Sequence, residues 1–141
     1  MAYIEIVEID AAGLSACGLA VLRAALIHAR EHWEIKTHEV ALADFCILAG
    51  AGNVSGEVMR LLLQKVQKVL VCVTVLDTDA IGDESSTFDS TQILGLVHAD
   101  DSNVVFEVNR YVLGDNILTR LLNLKLRRRN CDKFGDNLIV R

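Results

Sequence analysis

The spacing of apolar residues changes several times along the chain, and each change marks an element. Tyr3 to Ile9 (YIEIVEI) is rich in β-branched residues and predicts a strand. Asp10 is a candidate N-cap, and a long helix is expected from about Ala12 to Trp33. In that helix Leu19, Leu22 and Leu26 lie on one side, Val21 and Ala25 on another, Ala20 and Ile27 on a third. A helix apolar all round is buried on more than one face, which places it between a sheet and a second layer or subunit.

Ile35 to Leu42 predicts a strand or edge segment, and the short apolar run Asp44 to Ala49 (DFCILA) a central parallel strand. A helix is expected from about Ser55 to Gln67, then a strand over Lys68 to Leu76 (KVLVCVTVL). The polar, acidic stretch Asp77 to Ser86 reads as a loop, Asp89 to Ala99 as a helix with Ile93, Leu96 and Val97 on one face, and Asn103 to Val108 as a strand. Asp100 to Asn103 can also turn a hairpin within residues 93–113; the 3.6-residue spacing and the acidic cap before Ile93 favour the helix. Asp115 or Asn116 caps a last helix carrying Ile117, Leu118, Leu121 and Leu122, although Leu122, Leu124 and Leu126 alternate like a strand. Asn137 to Arg141 is a candidate final strand.

Strands alternating with helices of this length predict βαβ units. The expected fold is therefore a single α/β domain over residues 1–141, a three-layer Rossmann-like arrangement with a mostly parallel sheet. At 141 residues one core is expected. The apolar share of 52% is high for a chain of this size and leads us to expect a homo-oligomer, a dimer or higher. Proline is absent, so no Pro-rich linker is present.

The longest apolar stretch, Leu14 to Ala29, is broken by Ser15, Arg23 and His28, which excludes it as a membrane span. The N-terminus lacks the basic and apolar regions of a signal peptide. None of Cys17, Cys46, Cys72 and Cys131 forms a CxxC pair, so neither a zinc site nor a redox dithiol is indicated. Three of them sit in apolar runs as small core residues would, and the expected location is cytoplasmic.

Net charge adds an asymmetry. Residues 1–109 carry 16 acidic against six basic residues, while residues 110–141 carry eight basic against three acidic. An acidic chain of this kind predicts no nucleic-acid partner. The basic tail, with Lys125, Arg127, Arg128 and Arg129, fits a solvated helix end, an acidic face of a neighbouring subunit or an anionic ligand.

Three constellations are candidates for chemistry. Gly50-Ala-Gly52-Asn-Val-Ser-Gly56 lies between an expected strand and an expected helix, where glycines let a backbone approach a phosphate. Asp77 follows at the end of the next strand, where a ribose-binding acid is expected, so an adenine nucleotide is the candidate cofactor. The spacing is GxGxxxG, and a tight turn needs glycine without any ligand. The acidic group around Asp77 and Asp79, with Glu107 further on, offers oxygen ligands for Ca²⁺ or Mg²⁺, although acidic loops are commonly just solvated. The third is His28-Ala-Arg-Glu31-His32, which matches HxxEH, a zinc-protease pattern, on a chain far shorter than such enzymes use. No GxSxG nucleophile elbow is present.

Residues 89–111, DSTQILGLVHADDSNVVFEVNRY, together with the strand and loop from Lys68, resemble the ligand-binding domains called regulators of potassium conductance and the related nucleotide-binding domains of bacterial potassium uptake systems. The resemblance implies a Rossmann-like fold. In calcium-gated members it implies Ca²⁺ ligands at Asp77 (or Asp79) and Glu107; a second glutamate of that pattern falls on Asn109 here. The family's glycine fingerprint opens the first strand, whereas Tyr3 to Leu14 lacks it. On this reading the chain is a non-enzymatic sensor of a nucleotide or divalent cation, partnered with a membrane transport protein but not itself inserted in the membrane. A small α/β enzyme acting on a phosphorylated substrate and an assembly protein without a small ligand are the alternatives. The sensor reading needs residues 93–113 to hold a helix and a buried parallel strand, and an antiparallel ribbon there removes its site.

Overall fold

The computed structural model describes residues 2–50, 52–78, 84–124, 126–128 and 138–140. In chain order they form β1 (Ala2–Asp10), α1 (Ala16–Glu31), β2 (Thr37–Ala41), α2 (Leu42–Ala49), α3 (Gly56–Val66), β3 (Leu70–Thr78), β4 (Glu84–Gln92), β5 (Leu94–Ala99) and β6 (Asn103–Val108). A 3₁₀ turn (Arg110–Leu113), α4 (Asp115–Leu122), β7 (Leu126–Arg128) and β8 (Leu138–Val140) follow.

Every described strand pair is antiparallel. One sheet has the order β1-β3-β4, a second β2-β6-β5, and β7 pairs with β8. This corrects the expectation of a Rossmann-like, mostly parallel sheet. β3 is central and apolar, but it gains its neighbours from β1 and from its own hairpin partner β4. Its inward residues Val71 and Val73 are buried and stand opposite Ile9 and Val7. Cys72 and Thr74 on the other face are part-exposed, so one sheet face is covered and one meets solvent.

Three segments expected otherwise explain the correction. Asp44 to Ala49 is helical, within α2. Leu42, Phe45 and Cys46 are buried at the i, i+3, i+4 spacing of a helix stripe. Gly50, at φ 65°, ends the helix with its N–H reaching the carbonyls of Cys46 and Ile47. Glu84–Gln92 and Leu94–Ala99, expected as parts of a loop and a helix, are the strands β4 and β5. Leu94 stands opposite Val108 and Val97 opposite Phe106, three steps against two, so β5 carries a bulge. That extra residue shifts the two-residue alternation into a spacing that imitates a helix.

α1 sits at the centre of the molecule. Ser15 caps it, its Oγ accepting the Gly18 N–H at 3.0 Å. Leu19, Val21, Leu22, Ala24, Ala25, Leu26 and Ala29 are buried, covered by α2, α3, α4 and β6 of the same chain. Two sides of the apolar circumference seen in the sequence are thus covered internally, while Ala20 and Ile27 on the third are half-buried. The Arg23 guanidinium donates to the Leu124 carbonyl and ties α1 to the end of α4. No helix among the described residues is long and apolar enough to cross a membrane.

Candidate nucleic-acid interface

The helix pair α2–α3 is joined by residues 50–55, in which Gly50 and Gly52 have positive φ. Ser55 caps α3, its Oγ accepting the Val58 N–H at 3.2 Å. Met59, Leu63 and Val66 are buried at i, i+4, i+7 and seat the helix on α1 and the second sheet. The opposite face, Glu57, Val58, Leu61, Gln64 and Lys65, with Lys68 just beyond, is exposed. Arg60 lies at its border.

The amino end of α3 is closed by the β5–β6 turn. Asp101 accepts the Gly56 N–H at 2.9 Å. A Cβ at Gly56 would stand 2.7 Å from the Asp100 Cα and closer still to its carbonyl group. Asp100 shapes the turn itself, accepting the N–H groups of Ser102 and Asn103 at 2.8 and 2.7 Å and pairing with His98 at 3.3 Å. Those backbone bonds, Asn103 first, with His98 behind them, hold its carboxyl below the ordinary range.

These positions replace the expected phosphate cradle. Gly50 and Gly52 serve the helix–helix connection, Gly56 is packed on backbone, and the anion-seeking amino end of α3 already holds a carboxylate of the protein. Asp77 lies near the end of β3, paired with Tyr3 and Ser85, while Glu107 lies in the second sheet and accepts from Thr37 Oγ1 at 3.3 Å. Asp79 is outside the described residues. Among the described residues no group of three or more His, Cys, Asp or Glu side chains is placed to hold a metal. The Rossmann-like, nucleotide-binding, metal-binding and potassium-transport expectations are corrected accordingly. They required carboxylates on one rim of a parallel sheet, and residues 94–108 form an antiparallel hairpin.

The HxxEH histidines belong to an aromatic cluster. His28 and His32 stack at 4.4 Å on successive turns of α1, and His28 Nδ1 lies 3.2 Å from Nδ1 of His38 on β2. His38 is 2% exposed and stacks on Phe106 at 5.2 Å. Burial first, and then neighbouring imidazoles, push His28 and His38 below the ordinary value near 6.5, against a weaker upward pull from Glu31 and Glu34. Between that lowered value and 6.5 the unfolded chain binds more protons than the folded one, so stability falls as pH drops through the window. Each unit of difference is worth about 1.4 kcal/mol. Melting temperature should therefore decline from pH about 7 to about 5, and His38→Gln should flatten the decline; an unchanged profile would show that the pair does not titrate with folding.

The order helix, strand, helix, helix, strand, strand, with β2 and β5 on either side of β6, resembles that of a winged helix–turn–helix. The β3–β4 hairpin is inserted between α3 and β5, and β1 is added to it. Neither a protein-family model nor a curated protein matches the chain. Solved structures do. A selenomethionine derivative of domains 2 and 3 of RctB aligns with TM-score 0.55 at 8% identity, covering 86% of this chain and 55% of that one. A second crystal structure of RctB domains 2–3 aligns with TM-score 0.51 at 10% identity, covering 87% and 54%. The chain spans about half the length of these structures, and the likeness is one of fold.

Proposed function

We propose that this chain is a winged-helix domain that holds duplex nucleic acid against α3. The observation that carries the reading is the placement of charge. Of the six basic residues among the first 109, Arg60, Lys65 and Lys68 lie on α3 or one turn past it, with Gln64 and Gln67 between them. The second helix of a helix–turn–helix is the one such domains lay in the major groove. Net charge sums over faces that a duplex never touches, so an acidic total and a basic helix are compatible.

Fluorescence anisotropy with a labelled duplex tests this. With three phosphate contacts, affinity should fall about 40-fold between about 50 and about 200 mM salt. Exchanging Arg60, Lys65 and Lys68 for glutamine should remove most of the binding, and no binding by the folded protein at the lower salt would end the reading.

One observation favours a second reading, docking on protein. Ile47 is 78% exposed, and Leu48, Val58 and Leu61 of the same helix pair are also exposed. A concentration-dependent mass in light scattering, removed by Leu61→Lys and accompanied by no DNA binding, would favour it.

A further inference from the structure

An open groove of about 590 Å³ runs along the C-terminal half of α3, a second of about 620 Å³ lies over the second sheet and the start of the 3₁₀ turn, and Gln92 at the end of β4 lines both. Lys65 and Lys68 line one, Lys36 and Arg110 the other. The first 110 residues hold seven Lys and Arg in all: Arg23, Arg30, Lys36, Arg60, Lys65, Lys68 and Arg110. Four of the seven therefore converge on one continuous face of a strongly acidic part of the chain. Among the described residues the only carboxylate lining either groove is Glu107, whose oxygen already accepts from Thr37. Arg110 is braced by a bond from its guanidinium to the Glu34 carbonyl at 3.1 Å, and Gln67 donates to the Gly95 carbonyl, joining α3 to the second sheet where the grooves meet.

Resting on the nucleic-acid reading above, we infer that Lys65, Lys68, Lys36 and Arg110 form a single phosphate track. The duplex backbone leaves α3 past Gln92 towards the 3₁₀ turn, away from the β5–β6 wing. The wing is unsuited to a backbone contact because its tip carries Asp100 and Asp101, and like charge against phosphate is repelled. Uncharged donors along the path suit the same role, since amides and hydroxyls supply many phosphate contacts. Gln92 lines both grooves, and Tyr111, 49% exposed, follows Arg110.

The test is a salt series of anisotropy titrations on the full chain with a duplex of mixed sequence. Lys36→Gln combined with Arg110→Gln lies off α3 and on exposed positions, so its melting temperature should match the parent. Its log–log salt slope should be shallower by about two, one for each lost phosphate contact. Arg30→Gln, an exposed base lining neither groove, should leave the slope unchanged. If the double variant keeps the parent slope and affinity while the α3 variant loses binding, the track is wrong and the α3 reading stands. If the parent protein itself shows no affinity for duplex, both are overturned.

Discussion

Phe106→Ala is expected to cost about 3–5 kcal/mol of stability, measured by chemical denaturation. Phe106 is fully buried at the middle of β6, the central strand of the second sheet. Its ring stacks on His38 and meets the edges of Phe45 and His28 at 5.6 and 5.8 Å. Truncation loses the transfer free energy of the ring and leaves a cavity between α1, α2 and the sheet. It also exposes two imidazoles whose lowered pKa rests first on burial, so the decline of stability towards acid pH should flatten. A loss below about 1 kcal/mol, the range of near-neutral repacking, would mean that the cluster is not the packing centre.

The second large effect is expected at Gly56. Replacing it with alanine places a methyl group against the Asp100 backbone, which cannot rotate away as a side chain would. Overpacking of this kind costs about 1–3 kcal/mol and sometimes more. The gain in helix propensity, at most about 1 kcal/mol, does not offset it. The helix must move or the turn must open, and either change also loosens the Asp101 bond to the Gly56 N–H. Stability and duplex affinity should therefore fall together. Gly52→Ala is the comparison: open space surrounds that position, and only the positive φ opposes the change, worth about 1 kcal/mol. Equal costs at the two glycines would refute the close approach.

Much of the element order was legible in the sequence. β1, α1, β2, α3, β3, β6 and α4 fall where apolar periodicity places them, because each has a long or clean period. The misread segments were those whose period is short or broken. α2 spans eight residues, too few to separate a buried helix from a buried strand by apolar content alone. The stripe at Leu42, Phe45, Cys46 and Ala49 and the closing Gly50 were nonetheless the available signals. In β5 the bulge moved Val97 onto a helical spacing from Ile93 and Leu94, which hid the hairpin. β4, polar along its length, was read as a loop running into a helix, and these misreadings together turned an antiparallel design into an apparent βαβ series, from which the parallel fold followed.

The candidate site was less legible. Lys36, the Lys65–Lys68 pair and Arg110 are far apart in sequence, and only the pairing of β2, β5 and β6 brings Lys36 and Arg110 to a groove that meets the α3 groove at Gln92. The total charge hid this basic face because it averages the acidic turn and strands with it. The glycines that stood out in the sequence serve the backbone instead, Gly50 and Gly52 in the connection and Gly56 against the turn of Asp100 and Asp101.

Ile93 is the only residue between β4 and β5. Its carbonyl accepts the Asn109 N–H at 2.9 Å, and the Asn109 side chain donates to Thr91 Oγ1 at 2.6 Å on the other side of the junction. The inserted sheet is therefore tied to the second sheet through one residue and clamped at one asparagine. A displacement of that sheet would carry Gln92 with it, and Gln92 is the residue the two grooves share.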